Sequence, residues 1–241
     1  MTLISLVIPC YNESLSIPTL FRKAKYITSN YDIEIIFVDN GSKDKTWEIM
    51  QDFNLKNKIK FIRLKNNQGY GKGIKFGLEY ATGSYIGWTH ADLQTDLFDI
   101  IVAYENIQKE NLKNNKQNLL AIKGIRYGRT FFENFISFGM STIGRLFFFP
   151  WDIKEINAQP SIYHSSIKEY LNKSPNDYNF DIYAYLISFY LNFKHIRFPV
   201  LFPSRIYGKS HWNINPFSRF KFIINTFIFM FKIFLKFKNF K

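Results

Sequence analysis

The chain has a single cysteine, Cys10, among its 241 residues, so no intrachain disulfide can form and no cysteine zinc site can be built. Nothing in its cysteine usage points to an oxidising compartment. Met1–Pro9 has no basic leader and no small-residue cleavage site, and reads as an apolar first strand instead of a signal peptide. The cytoplasm is therefore the expected location. There is no internal repeat and no long linker, and a chain of this length suits one ordinary domain with a short appendage. Acidic residues are outnumbered, 19 Asp and Glu against 32 Lys and Arg, giving a net charge of +13 and a bias toward anionic partners. Nucleic acid, nucleotide phosphates and anionic lipid all qualify. Nucleic acid is the weakest of these, because RNA-recognition, helix-turn-helix and zinc patterns are all missing.

What is present is an alternation of two periods. Apolar runs at Leu3–Ile8, Ile33–Val38, Ile59–Leu64 and Ser84–Trp88 read as strands. Helical stretches lie between them at Leu15–Thr28, with Ser14 as candidate N-cap, at Lys45–Leu55 behind Asp44, and at Tyr70–Tyr80. Leu97–Lys113 and Asn179–Phe193 read as later helices, Leu119–Ile122 and His195–Val200 as later strands, and residues 123–165 as irregular and aromatic. Such alternation predicts an α/β fold with a mostly parallel sheet and helices on both faces. Ligands of such sheets bind beyond the carboxyl ends of the strands. The polar loops that follow the first, second and fourth strands should share that rim.

Those loops hold the chemistry. Pro9-Cys10-Tyr11-Asn12-Glu13 ends the first strand and Val38-Asp39-Asn40-Gly41-Ser42-Lys43-Asp44 the second. Acids there suit hydrogen bonds to a base or ribose, or simple helix capping, for which Asp44 is well placed. Asn67-Gln68-Gly69-Tyr70-Gly71-Lys72-Gly73 matches neither a P-loop nor the dinucleotide fingerprint. It reads as a flexible turn at a helix start, where N–H groups and Lys72 favour anions. In His90-Ala91-Asp92-Leu93-Gln94 the first, third and fifth residues fall on one side if the chain is extended. An imidazole, a carboxylate and an amide oxygen would then surround one point, a set suited to Mg2+ or Mn2+ carrying a diphosphate. Thr95 or Asp96 would cap the next helix.

Taken in order and spacing, these four segments resemble family 2 glycosyltransferases of the GT-A fold, especially the dolichol-phosphate mannose synthase-like branch. The resemblance covers about residues 3–100 well and 120–213 loosely. It implies a Rossmann-like GT-A domain and a nucleotide-sugar-dependent glycosyltransferase. It assigns Pro9, Tyr11, Glu13 and Asp39 to the base and ribose pocket, and Gly71 and Lys72 to the donor side. Asp92 and Gln94 become the metal-binding, diphosphate-facing residues. Arg126 of Gly124-Ile125-Arg126 becomes a donor-phosphate contact, and Arg205, Lys209 and Ser210 belong to a late basic motif over the diphosphate. The family usually has an acid where His90 stands. A neutral imidazole should lower metal affinity and favour Mn2+, or else leave His90 to contact phosphate directly. Asp181 stands where the family often carries an acid facing the acceptor, and Asn157-Ala158-Gln159-Pro160 is a further candidate for that pocket. A hydroxyl acceptor needs a general base, whereas an ionised lipid phosphate needs none.

From Phe217 onward there is no acidic residue, with six Lys or Arg among abundant Phe. On a helix, Lys221, Asn225, Lys232, Lys236 and Asn239 form one stripe and the remaining circumference is apolar. The uncharged stretch Phe222–Phe231 falls far short of the ~20 residues that span a bilayer. The expectation is a domain over residues 1–215 and a basic amphipathic helix over 216–241, lying in a membrane interface or packed on the domain. The tail favours an inverting transfer from a nucleoside-diphosphate sugar to a polyprenyl-phosphate-type lipid, at the inner face of the cytoplasmic membrane. The runner-up acceptor is a hydroxyl of a cell-surface glycan or lipid-linked oligosaccharide. A sugar-nucleotide pyrophosphorylase would place a Gly-rich basic loop after the first strand, where Tyr11-Asn12-Glu13 stands instead.

Overall fold

A computed structural model describes residues 2–53, 58–114, 118–203, 205 and 216–238. The strands are β1 (Ile4–Cys10), β2 (Ile33–Asn40), β3 (Ile59–Leu64), β4 (Tyr85–Trp88), β5 (Leu120–Tyr127), β6 (Ser161–His164) and β7 (Lys194–Leu201). The helices are α1 (Ile17–Asn30), α2 (Thr46–Asp52), α3 (Tyr70–Glu79), α4 (Asp99–Asn114), α5 (Phe131–Phe147), α6 (Lys168–Leu171), α7 (Asn179–Tyr190) and α8 (Pro216–Lys238). Every residue of β2 is buried, as expected of a strand covered by helices on both faces.

All the strands join one sheet in the order β3-β2-β1-β4-β6-β5-β7. Pairing is parallel except at β6, which runs antiparallel to both β4 and β5. The carboxyl ends of the other six strands and the beginning of β6 therefore share one rim. Ile4, Leu6 and Ile8 pack toward α1 and α4, while Val7 packs toward α3 and α7, the period-2 alternation of a two-faced sheet. Chain order reverses on either side of β1, which puts a crevice between β1 and β4.

Several boundaries differ from the sequence reading. Ser14 does not cap α1; Ser16 holds the N-cap position without a side-chain cap bond, its hydroxyl donating to Glu13 instead, and the Ser14 N–H goes to Asp44 Oδ2 at 3.2 Å. Nor is Asp44 the N-cap of α2: that position is Lys45, without a side-chain cap bond, while Asp44 one residue earlier accepts the Thr46 N–H at 3.0 Å. Asp96 accepts the Phe98 N–H at 2.9 Å before α4. Residues 123–165 are not irregular. They hold the end of β5, the 17-residue α5 and β6. Aromatic residues stand on the exposed side of α5 as well, at Phe135 and Phe138, but a capping box between Thr130 and Glu133 marks its start.

Thr226, Met230 and Ile233 of α8 are buried against the domain, and Phe147 of α5 meets Phe227, Phe231 and Phe234 at 5.5, 6.0 and 5.6 Å. The opposite side leaves Lys221, Asn225, Lys232 and Lys236 exposed beside Ile224, Ile228 and Leu235. Asn239 lies outside the described residues. Among the described residues, no helix is long and apolar enough to cross a membrane.

Candidate active site

The loops after β1 and β2 are stitched together. The Asn12 N–H donates to Ser42 Oγ at 2.9 Å, Lys43 N–H to Asn12 Oδ1 at 2.8 Å, and Glu13 N–H to Thr46 Oγ1 at 2.8 Å. This holds Pro9, Tyr11, Glu13 and Asp39 on one part of the rim. Asp39 is fully buried, accepts the Ser42 N–H at 2.9 Å and pairs with Arg63 Nε at 2.9 Å, while Arg63 lies over the Trp47 ring. Burial pushes the Glu13 carboxyl above its usual range against the hydrogen bond from Ser16, and Glu13 feels both Asp92 and Arg205.

The loop after β4 is not extended. Leu93 has a φ of 60°, and Asp92 Oδ1 accepts the Gln94 N–H at 3.1 Å, closing a tight turn. The alternation expected of His90, Asp92 and Gln94 therefore does not occur. Asp92 and Gln94 still converge, through that turn and a third residue. Arg205 Nη2 lies 2.6 Å from Asp92 Oδ2, and Arg205 Nε donates to Gln94 Oε1 at 3.2 Å. Gln94 Nε2 in turn donates to the Pro203 carbonyl at 3.0 Å. His90 sits against the ring of Tyr70 at 5.6 Å, and Tyr70 stacks on Tyr178 at 5.2 Å. Among the described residues no group of three or more His, Cys, Asp or Glu is placed to hold a metal ion. Any cation at Asp92 and Gln94 would need its remaining ligands from water or a bound ligand such as a diphosphate.

Asp181, in the first turn of α7, is 3% exposed and surrounded by donors. Trp88 Nε1 reaches Oδ1 at 2.5 Å, Gln159 Nε2 reaches both oxygens at 3.2 Å, and Tyr70 OH reaches Oδ2 at 3.3 Å. The carboxylate thus ties together β4, α3, the segment before β6, and α7. Close by, Lys123 of β5 is 1% exposed and donates to Ser161 Oγ. Burial pulls its ammonium down to about 7, with Asp181 opposing and Arg197 reinforcing the shift.

Two expectations about the donor side change. The Gly71 and Lys72 N–H groups do not form an open cradle, because both donate to the Asn176 carbonyl, at 2.7 and 3.3 Å. Glycine is required at 71 by close approach: a Cβ there would lie 2.5 Å from the Pro175 carbonyl oxygen and 2.8 Å from Phe180 Cβ. Asn40 fastens the same loop, donating to the Gly69 carbonyl at 2.9 Å. Arg126 leaves the end of β5 and pairs with Glu155 at 2.8 Å. Lys209 and Ser210 lie outside the described residues. The sequence reading missed Trp88, Tyr70, Lys123, Arg129 and Glu155. Only Lys123 carried a clear signal, as a lone charge inside the apolar run Leu119–Ile125.

Residues 5–194 match the model of the family "Glycosyl transferase family 2". The chain is 34% identical over 132 residues to the uncharacterized glycosyltransferase YkcC of Bacillus subtilis (strain 168), covering 54% of this chain and 39% of that protein. It is 29% identical over 149 residues to a dolichol-phosphate mannosyltransferase of Pyrococcus furiosus, covering 59% and 40%. It therefore spans less than half the length of these two relatives. Among solved structures, it superposes on glucosyl-3-phosphoglycerate synthase from Mycobacterium tuberculosis, in complex with Mn2+, uridine diphosphate and glucosyl-3-phosphoglycerate. The TM-score is 0.64 at 15% identity, covering 95% of this chain and 80% of that one, a likeness that shows the GT-A fold. With the sheet order, the rim and the family match in agreement, the chain belongs to glycosyl transferase family 2.

Proposed function

We propose that this chain transfers a sugar from a nucleoside-diphosphate sugar to the phosphate of a polyprenyl-type lipid, inverting the anomeric centre. Family membership and the crowded polar rim support the donor half of this reading. The acceptor half is carried by one observation: both oxygens of Asp181 are already taken by Trp88, Gln159 and Tyr70. A carboxylate so occupied and 3% exposed is poorly placed to take a proton from a sugar hydroxyl. An ionised phosphate oxygen needs no such base. The Pyrococcus relative, a dolichol-phosphate mannosyltransferase by name, agrees with that choice.

In this reading Glu13 and Asp39 hold the base and ribose, and Asp92 and Gln94 hold a divalent cation, Mg2+ or Mn2+. The donor set fits, since two hard oxygens already converge on one cationic group, the Arg205 guanidinium. When bound, such an ion neutralises charge on the departing diphosphate. Arg205 and Arg126, with Lys209 and Ser210, supply further positive charge and donors to the same oxygens. Asp181 acts as a positioning residue, orienting Trp88, Tyr70 and Gln159 beneath the donor sugar. Residues 1–215 form the transferase domain. The segment 216–241, which contains α8, seats the site at the head-group level of the inner face of the cytoplasmic membrane.

The test is transfer from UDP-, GDP- and dTDP-sugars, with and without Mn2+, to polyprenyl phosphate and to glycan hydroxyl acceptors. Transfer to the phosphate alone is expected, with at least a hundredfold loss in Asp92→Ala at unchanged circular dichroism. Transfer to hydroxyls only would overturn the acceptor reading. Failure to bind any sugar nucleotide would overturn the donor reading.

A further inference from the structure

Glu155 stands outside every sequence motif, yet it makes two shielded ion pairs. One oxygen receives Arg126 Nε at 2.8 Å and the other receives Arg129 Nη2 at 2.7 Å. The side chains of Glu155, Arg126 and Arg129 are 16%, 13% and 4% exposed, so solvent screens these pairs little. Ser137 Oγ on α5 accepts from both guanidiniums, from Arg126 Nη2 at 3.4 Å and from Arg129 Nη1 at 2.7 Å. Phe202 lies against the Arg126 guanidinium at 5.2 Å.

The acid is itself firmly seated. Its N–H donates to Ser141 Oγ at 3.2 Å, one turn beyond Ser137 along α5, and its carbonyl accepts the Ala158 N–H at 3.1 Å. Its φ of 43° lies in the left-handed region that non-glycine residues enter only when their surroundings demand it. Burial raises the carboxyl, but Arg126 and Arg129 outweigh it and hold the group below the usual carboxylate range, so it stays charged.

Two neighbouring guanidiniums repel each other, and without a shared anion each would turn toward water. Arg126 leaves the carboxyl end of β5 and interacts electrostatically with Asp181, which places it on the same rim as the other polar loops. Arg129 Nε is buried with no hydrogen-bond partner among the described residues, so the pair retains unused donor capacity.

We propose that Glu155 is a positioning residue, which cancels the repulsion between Arg126 and Arg129 and fixes their planes for a diphosphate-bearing ligand. This rests on the nucleotide-sugar reading above. The role has a distinctive sign. By charge alone, neutralising an acid beside an anion site should tighten anion binding. Loss of a positioning residue should weaken it. Glu155→Gln keeps the size of the side chain and one acceptor oxygen while removing the charge.

The experiment is calorimetric titration of the full chain with UDP, GDP and dTDP, and with the matching monophosphates, all with Mn2+. Glu155→Gln should weaken diphosphate binding by about tenfold, and Ser137→Ala by a few-fold, as when one partner of a desolvated charge network is lost. The affinity gained from monophosphate to diphosphate should shrink in both variants, a change that general loosening of the fold would not produce. Equal or tighter diphosphate binding by Glu155→Gln overturns the role. Should that variant fail to fold, Ser137→Ala decides, and an unchanged diphosphate affinity there overturns it as well. If the natural protein binds none of the three diphosphates, the nucleotide-sugar reading itself falls, and the positioning role with it.

Discussion

Lys123→Met should be more stable than the natural protein near pH 6, by a margin that shrinks as the pH rises. Lys123 is 1% exposed in β5, and burial, offset in part by Asp181, lowers its ammonium from 10.5 to about 7. At about 1.4 kcal/mol per unit, that displacement amounts to about 5 kcal/mol against holding the charge in the folded state. Loss of the hydrogen bond to Ser161 takes back about 1 kcal/mol. The sign follows from proton counting. Below the folded value both states carry the proton and the cost is complete. Between about 7 and 10.5 the unfolded chain holds more protons than the folded one, so the natural protein gains stability as pH rises. Met has no proton to exchange, so its advantage should narrow by about 2 kcal/mol between about pH 6 and about pH 8.5. Urea unfolding followed by tryptophan fluorescence, run on both proteins at several pH values, gives that difference with other titrations largely cancelled. A gap that stays constant across the window would show that Lys123 does not titrate there, and the account of its burial would be wrong.

Gly71→Ala should cost about 1–3 kcal/mol, seen as a lower melting temperature, because its Cβ meets the Pro175 carbonyl and Phe180. Gly139→Ala, with nothing within 4 Å, should instead be neutral or slightly stabilising, and equal losses at the two sites would contradict the close-approach explanation. Arg205→Met removes the cation that now occupies Asp92 and Gln94, so electron paramagnetic resonance should report several-fold tighter Mn2+ binding without nucleotide. Unchanged binding would mean that Arg205 does not compete for those oxygens. Replacing Ile224, Ile228 and Leu235 by Ser should weaken sedimentation with anionic vesicles at least tenfold, since each is 39–45% exposed on the side of α8 away from Phe147. Undiminished sedimentation would remove α8 from the membrane contact.

Every strand but β6 was legible, because these strands are short, apolar and regularly separated and because their polar ends recur at one place in each unit. The positions of Asp39, Asp92 and Gln94 at strand ends on the rim were readable for the same reason. The region between β5 and β6 was not, since α5 exposes Phe135, Phe138 and Leu146, so polar residues do not mark its solvent side. The phosphate-cradle reading of Gly71 failed because glycine serves a turn and a tight contact equally well, and sequence does not say which neighbour approaches. The alternation expected of His90, Asp92 and Gln94 failed because Leu93 turns left-handed. Trp88 and Tyr70 look like core aromatics in sequence; their polar atoms matter only because α7 carries Asp181 to them. Such pairings depend on tertiary contact and leave no local pattern.

The node at Asp181 bears on how the chain comes to be folded. Asp181 lies 93 residues beyond Trp88 and 111 beyond Tyr70. A nascent chain that has emerged only as far as α4 already holds the loops of β1, β2 and β4, but it lacks the carboxylate that fixes the indole and the phenol. Contacts of such long sequence separation close late and slowly. Until residues 159–181 arrive, Trp88 Nε1 and Tyr70 OH lack Gln159 and Asp181, the partners they bond in the finished core. Completion of the donor side therefore waits on the second half of the chain, and damage to α7 should be felt in β4 and α3 as well as within α7.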